Sequence, residues 1–435
     1  MKSRILLINL AILLLPIIAH AQQEADNQFN VKLDMLTRGE LRYGGFNESD
    51  DAQEDLAHFI IGRYRLTTDY SRSWLQVRLS LQQSGTWGMG GGSFSLNEGW
   101  AMVKSRKGLF AKIGRQVLAY DDERIIGSND WAMTAPTHDV LKLGYDGDQH
   151  KVHLMFAYNQ NPENMGGFTF FSGGNQPYKS MQTLWYHYAT PKSIFGASLL
   201  FMNIGMQGEI NNVPKTLFQQ LVGTYITLKP KYITAEGSFY YQFGKEEHGI
   251  PLDAFMGSVK LTAKPRDNYS IYAGYDYLSG DAYFAVPPEG SIGMVFHDKV
   301  RGFNPIYGSH HEFYGAMDFF YMSTWVGGFT PGLQNAYLGS TFSPVKNLNF
   351  NLAGHYYAMA TKLPNVKQFL GLAAELSANY AFTKFISAEL GYSYMYGSET
   401  MKFLKRVSGN QQLHWAYLML VINPDIFSTT WNDKK

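Results

Sequence analysis

Between Trp74 and Gln82 the chain alternates without a break. Leu75, Val77, Leu79 and Leu81 are apolar, and Gln76, Arg78, Ser80 and Gln82 between them are polar. A side-chain period of two belongs to an extended strand with one apolar and one polar face. The pattern recurs along most of the sequence. From Phe29 to Tyr43, Val31, Leu33, Met35 and Leu41 share one face, while Lys32, Asp34, Arg38, Glu40 and Arg42 share the other. Segments 151–159, 232–243 and 386–396 repeat it, each with aromatics near its ends. A stretch of about ten such residues is what a tilted strand needs to cross a bilayer. A water-soluble sandwich or propeller is the competing architecture, but it gives no reason for aromatics at both strand ends.

The first residues read as an export signal. Lys2 and Arg4 precede an apolar run from Ile5 to Ile18, and Ala19-His20-Ala21 has the small-x-small form of a cleavage site. That run is shorter than the roughly 20 residues a spanning helix requires. The expected division is therefore a signal peptide, 1–21, and an outer-membrane barrel, 22–435. No later stretch is apolar enough for a helical span, yet 45% of residues are hydrophobic and 15% aromatic. With no cysteine, the chain has neither a disulfide scaffold nor a lipoprotein anchor. Near-neutral charge, 37 basic against 36 acidic residues, gives no support to nucleic-acid binding. These features place the protein in the outer membrane of a Gram-negative bacterium, among outer-membrane lipid and lipopolysaccharide.

Eight short connections rich in Pro, Asn, Asp and Lys punctuate the sequence, at 70–73, 105–108, 146–149, 191–193, 229–231, 264–268, 344–347 and 383–384. Longer ones alternate with them, among them 44–55, 121–137, 160–179, 360–368 and 397–412. Short turns alternating with long loops are the bacterial barrel pattern, the long loops facing outside. A simple count gives 19 strands if 312–321 is one of them. A single-chain bacterial barrel needs an even number. Strand directions traced from both ends agree only if 279–334 is a single external loop. The fold class is therefore all-β, a transmembrane antiparallel β-barrel of 18 strands. Barrels of that size leave an aqueous lumen. The last strand is expected to end near Phe427, with Ser428 to Lys435 following it as a tail.

Arg38, Arg42, Arg63, Arg65 and Arg78 fall on the polar face of the first three strands. An arginine facing lipid at the midplane costs about 2 to 4 kcal/mol, which favours the lumen. Arginine rings select anions, and a guanidinium fork fits carboxylates. Equally, Asp34, Glu40 and Asp69 can neutralise these arginines across strands and stiffen the wall. Arg115, Arg124 and Asp130 lie at a strand end and in the loop beyond, where ligand contact and loop-fixing ion pairs are alternatives. The acidic loop at Glu48, Asp50, Asp51, Glu54 and Asp55 lacks the spacing of a calcium loop. His310-His311-Glu312 carries no metal expectation, because adjacent residues on an extended chain point apart.

Gly114-Arg115-Gln116, with Tyr120, Arg124, Gly127, Asp130-Trp131 and Asp139 after it, forms one block of a signature. Tyr277-Leu-Ser-Gly-Asp281, Phe303-Asn-Pro-Ile-Tyr307-Gly, His311, Tyr314-Gly315 and Asp318 form the second. In this order they resemble the alginate-export family of outer-membrane porins. The resemblance implies an 18-stranded monomeric barrel whose basic lumen passes an anionic polysaccharide between constricting loops. Read from the residues themselves, the long loop contributes Asp281, Arg301, Tyr307, His311 and Asp318, polar groups interleaved with aromatics, as candidates for sugar contact.

The expected function is an outer-membrane channel passing an anionic polysaccharide or oligosaccharide by diffusion, with Arg38, Arg42, Arg63, Arg65, Arg78, Arg115, Arg124 and Asp130 along the path. The alternative is a general or small-solute porin. No cofactor, catalytic residue or metal is expected. An outer-rim enzyme built on His153, His187 or His355 lacks a nucleophile at suitable spacing. An adhesin would show a closed pore with external loops binding a partner.

Overall fold

The computed structural model describes residues 27–44, 56–160, 178–210, 213–246, 249–281, 298–320, 331–405 and 411–432; the expected signal peptide and the acidic run Glu48 to Asp55 lie outside them. Nineteen β segments among these residues form one sheet. In chain order they are β1 (Asn27–Tyr43), β2 (Ala57–Arg72), β3 (Leu75–Thr86), β4 (Gly92–Lys104), β5 (Leu109–Gln116), β6 (His138–Asp146), β7 (His150–Tyr158), β8 (Ser180–Ala189), β9 (Phe195–Ile210), β10 (Val213–Leu228), β11 (Ile233–Lys245), β12 (Pro251–Arg266), β13 (Tyr269–Leu278), β14 (Leu333–Val345), β15 (Leu348–Ala358), β16 (Phe369–Ala381), β17 (Ile386–Gly397), β18 (Gln412–Ile422) and β19 (Asp425–Trp431).

From β1 to β18 each strand pairs antiparallel with its chain neighbours, and β1 closes the ring. One edge of β1 meets β2. Its other edge meets β18 from Tyr43↔His414 to Met35↔Ile422, and β19 from Lys32↔Asp425 to Asn27↔Trp431. β18 and β19 are thus one strand interrupted at Asn423-Pro424. Pro424 has no N–H for the ladder, and β1 answers with a register shift between Val31 and Lys32. The barrel therefore has 18 strands, as parity required, and closure leaves no edge unpaired.

All eight expected turns join consecutive strands, and one connection runs from Leu278 to Leu333. The described residues of 312–321 form no strand, as the even count required: His310–Glu312 is a single 3-10 turn, and 313–320 is irregular. One expectation is corrected. Residues after Phe427, expected to be a tail, continue the strand to Trp431 because Asn27–Asn30 pair with Ser428–Trp431.

Outside, the alternation holds. Val77 and Leu79 on β3 are exposed, while Ser80 and Gln82 are buried toward the lumen. Inside, the two ends of the lumen differ. Toward the long loops the inward positions of β7, β8, β9, β12 and β17 carry Met155, Met181, Met202, Met256 and Met395, all buried. Onto them pack Leu118, Tyr120, Ile125, Phe303, Tyr307 and Phe320 from the loops after β5 and β13. The flexible thioether fits irregular gaps of this kind. A short helix, α1 (Glu399–Lys405), adds Met401 and Leu404 to the same cluster.

Arginine at neighbouring β3 positions should separate the two faces. Val77→Arg places a charge against lipid at a cost of about 2 to 4 kcal/mol and should impair assembly, whereas Gln76→Arg should be tolerated. Heat-modifiable gel migration of the two variants, compared side by side, reads the difference.

Candidate functional site: loops folded into the lumen

Two of the long connections enter the barrel. L3 (117–137) and L7 (279–332) meet in a short parallel ladder, where Tyr307 N–H donates to Ile125, Gly127 N–H to Tyr307 and Ser309 N–H to Glu123. The Glu123 carboxylate fastens the crossing by accepting from Ser128 and from the Ser309 hydroxyl. The backbones lie so close that a Cβ on Gly308 would sit 2.1 Å from the Arg124 carbonyl oxygen. Six of the nine non-glycine residues with left-handed φ among the described residues fall in these loops, Ile306 included. A β-branched residue there is costly and persists only when its surroundings dictate it.

The wall arginines hold L3. Arg63, only 1% exposed, donates to the Asp130 carboxylate and to the carbonyls of Asp130 and Ala132. Arg65 reaches the same carboxylate at 3.2 Å and bonds Gln82, which in turn donates to the Met133 carbonyl. Arg38 lies 4.0 Å over the Trp131 ring and donates to its carbonyl. Acidic partners complete the wall. Glu40 takes both Arg38 and Arg42, Arg63 lies 3.6 Å from Asp34, and Arg78 bridges Asp69 at 2.7 Å and Glu98 at 3.1 Å. The neutralised-wall alternative thus describes these five arginines, with one addition: Asp130 comes from a loop.

The other candidates divide. Arg115 was expected along the pore path, but it does not line the lumen. It pairs in register with Asp139 and shares the outward side of β5 with Leu109 and Ile113, bonding that carboxylate through Nε and Nη2. Arg124 is buried between Asp122 and Asp276, each at 2.9 Å, with Phe313 4.2 Å from its charge. Burial opposes its charge, but Asp276, Tyr314 and Asp122 outweigh that and hold its pKa well above the ordinary value. Asp281 accepts the backbone N–H groups of Arg301 and Gly302, and the Arg301 side chain turns out to Asp298. Tyr307 packs edge-on against His138 and Tyr178 in the buried cluster. His311 bonds Asp318 and stacks on Trp131 at 4.1 Å.

Beside this crossing, between L7 and β10–β18, lies a cavity of about 470 Å³. Arg124, Glu236, Lys260, Tyr272, His311 and Glu375 are among its lining residues. On the facing wall, the alternation places two further cations inward. Lys112 and Lys142 are direct cross-strand neighbours on β5 and β6. Lys112 Nζ lies 3.7 Å over the Trp100 ring, and Lys142 Nζ lies 5.7 Å from Phe110. Like charges directly opposite on one sheet face are destabilising. Sequence reading passed over both, although each sits between outward residues, Ala111 and Ile113 in one case and Leu141 and Leu143 in the other.

No protein-family model matches the sequence, and no curated protein matches it. Solved structures do match. A BenF-like porin from Pseudomonas fluorescens Pf-5 aligns with TM-score 0.62 and 11% identity over 91% of this chain and 99% of that one. OccK2 (OpdF) of Pseudomonas aeruginosa in complex with glucuronate gives 0.59 and 11% over 91% and 98%. OpdK of the same organism with vanillate gives 0.59 and 9% over 92% and 99%. At these identities the likeness is one of fold, the closed barrel of outer-membrane porins. It adds nothing to the alginate-export resemblance beyond that barrel.

Two outcomes follow from the loop contacts. Arg124→Met strands the buried Asp276 carboxylate and should destabilise the protein by about 3 to 5 kcal/mol, with Arg124→Met/Asp276→Asn recovering much of the loss in thermal melts. His310, in L7, is pushed down to about 4 by burial, against opposing contributions from Ile306 and Asp318. An unfolded histidine takes up its proton near pH 6.5, so the stability of L7 should fall as pH drops from about 6.5 to 4. Limited proteolysis within 298–320 should speed up over that range, and His310→Leu should flatten the trend.

Proposed function

We propose that the protein is an outer-membrane channel for small polar solutes, with small organic anions as its preferred cargo. The observation that carries the size limit is the crossing of L3 and L7 inside the barrel, which leaves a cavity of about 470 Å³ beside it. Pockets of roughly 300–1,000 Å³ suit small molecules. A polymer in transit would need the two loops to part. Small solutes therefore fit this geometry better than polysaccharide export.

The charge preference rests on Lys112 and Lys142. The arginines of β1–β3 are bonded to carboxylates, so they contribute little net field to the path. The lysine pair places two like charges side by side on the lumen face, next to Trp100 and Phe110. An anion between them would relieve their repulsion, and the neighbouring rings offer faces for a sugar or an aromatic acid. Glucuronate and vanillate, named with two structures of the same fold, are carboxylates of that size. Transit would be passive and in either direction, with no cofactor. The outer-membrane location is part of the same reading.

Reversal potentials in planar bilayers test the assignment. Lys112→Gln/Lys142→Gln should shift the channel away from anions at low salt, and glucuronate should block it less. Arg78→Gln should matter less, because its charge is already met by Asp69 and Glu98. Unchanged reversal potentials in the lysine variant would remove the anion preference and leave a general porin.

A further inference from the structure

Glu236 on β11 and Lys260 on β12 stand directly opposite each other in register. Both line the cavity beside the loop crossing, while Val259 and Leu261, next to Lys260, face outward. Opposite charges so placed have Cβ atoms about 5 Å apart and ordinarily interact. Asp69 and Arg78, in the same register relation on β2 and β3, are bridged at 2.7 Å. Glu236 and Lys260 are not bridged. Among the described residues no ion pair joins them, and Lys260 pairs with no other carboxylate.

Each is turned instead to a tyrosine on its far side. The Tyr225 hydroxyl, on β10, donates to Glu236 at 2.6 Å, and Lys260 Nζ lies 5.0 Å from the Tyr272 ring on β13. All four residues line the cavity of about 470 Å³, so the two charges open toward it side by side. Two other charged groups of the lining are already engaged. Arg124 is held by Asp122 and Asp276, and Glu375 accepts the Ala316 N–H. A carboxylate that has taken one hydroxyl keeps further lone pairs, and an ammonium over a ring keeps N–H donors.

We propose that this open pair is a binding subsite for a small zwitterion, an α-amino acid, whose ammonium meets Glu236 and whose carboxylate meets Lys260. This rests on reading the chain as a small-solute channel, and it adds a second class of cargo to the organic anions assigned to Lys112 and Lys142. A plain anion would gain Lys260 but stand beside Glu236, and a plain cation would meet the reverse. A solute carrying both charges satisfies both residues.

Calorimetric titration of the purified full chain in detergent at neutral pH compares alanine with N-acetylalanine, which keeps only the carboxylate, and with alaninamide, which keeps only the ammonium. Alanine should bind about tenfold or more tightly than either, because it makes two charge-assisted contacts where each analogue makes one. Glu236→Gln should weaken alanine about tenfold and leave N-acetylalanine no weaker; Lys260→Gln should weaken alanine similarly and leave alaninamide no weaker. Heat-modifiable migration reports whether each variant folds, and either one alone decides the matter. Alanine binding no tighter than N-acetylalanine, or a folded variant with the parental alanine affinity, overturns the proposal. So does alaninamide binding as tightly as alanine, since the acidic side of the cavity would then serve a plain cation. The channel reading fails by a different result, a protein that passes no ions in planar bilayers, whereas the titration reports the subsite whether or not solute crosses.

Discussion

A backbone amide in hydrocarbon has no water to bond, so every N–H and C=O in the wall must find a partner in the wall itself. The rest of this architecture follows from that constraint. It requires the sheet to close, and closure falls to β1, whose free edge takes both halves of an interrupted last strand. It confines Pro424 to a break in the ladder, and it gives each side chain one of two environments according to parity. The polar residues of β1–β3 are thereby collected on one inner surface, where they can meet a loop.

Inside the barrel water is available, and the rules relax. L3 and L7 carry irregular backbone through the lumen because they satisfy much of it against each other and against wall side chains. Their burial depends on apolar inward positions at the long-loop end, such as Met155, Met202 and Met256. It depends equally on charges closed into pairs. Removing a guanidinium and a carboxylate from water is costly, and the cost is offset only when both are well bonded. Arg124 meets this condition with Asp122 and Asp276, and Arg63 with Asp130 and two carbonyls. The lumen is thus divided between a cross-linked arginine wall, an apolar plug under the loops, and a remaining cavity with mixed charge.

Strand number, turn positions and the outward face could be read from the sequence because they reflect a single period imposed by lipid. Residues 74–82 show it cleanly, since one face meets hydrocarbon and the other the lumen. The reading weakened where that contrast disappears. Inward methionines near the loops are as apolar as their outward neighbours, so the internal core left no trace in the alternation. Arg115 was grouped with the pore residues through its motif, although its parity with Ile113 pointed outward. Ser428–Trp431 looked like a tail because Pro424 interrupts the pattern just before it. The partners of Arg38, Arg63 and Arg65 lie 65 to 93 residues away in L3, a separation that no local pattern encodes.

The Asp130 carboxylate has a consequence for how the inner wall would meet an anion in the lumen. It is joined to the chain and rests in the Arg63–Arg65 fork, yet it remains more than half exposed. A tethered group of this kind acts at an effective concentration of millimolar order or above. A dissolved carboxylate that reaches the fork must compete with this resident rival, and a weak ligand at micromolar concentration loses. An anion that reaches the fork is therefore exchanged and not held. Such a wall favours brief visits over tight capture, as the proposed channel would require.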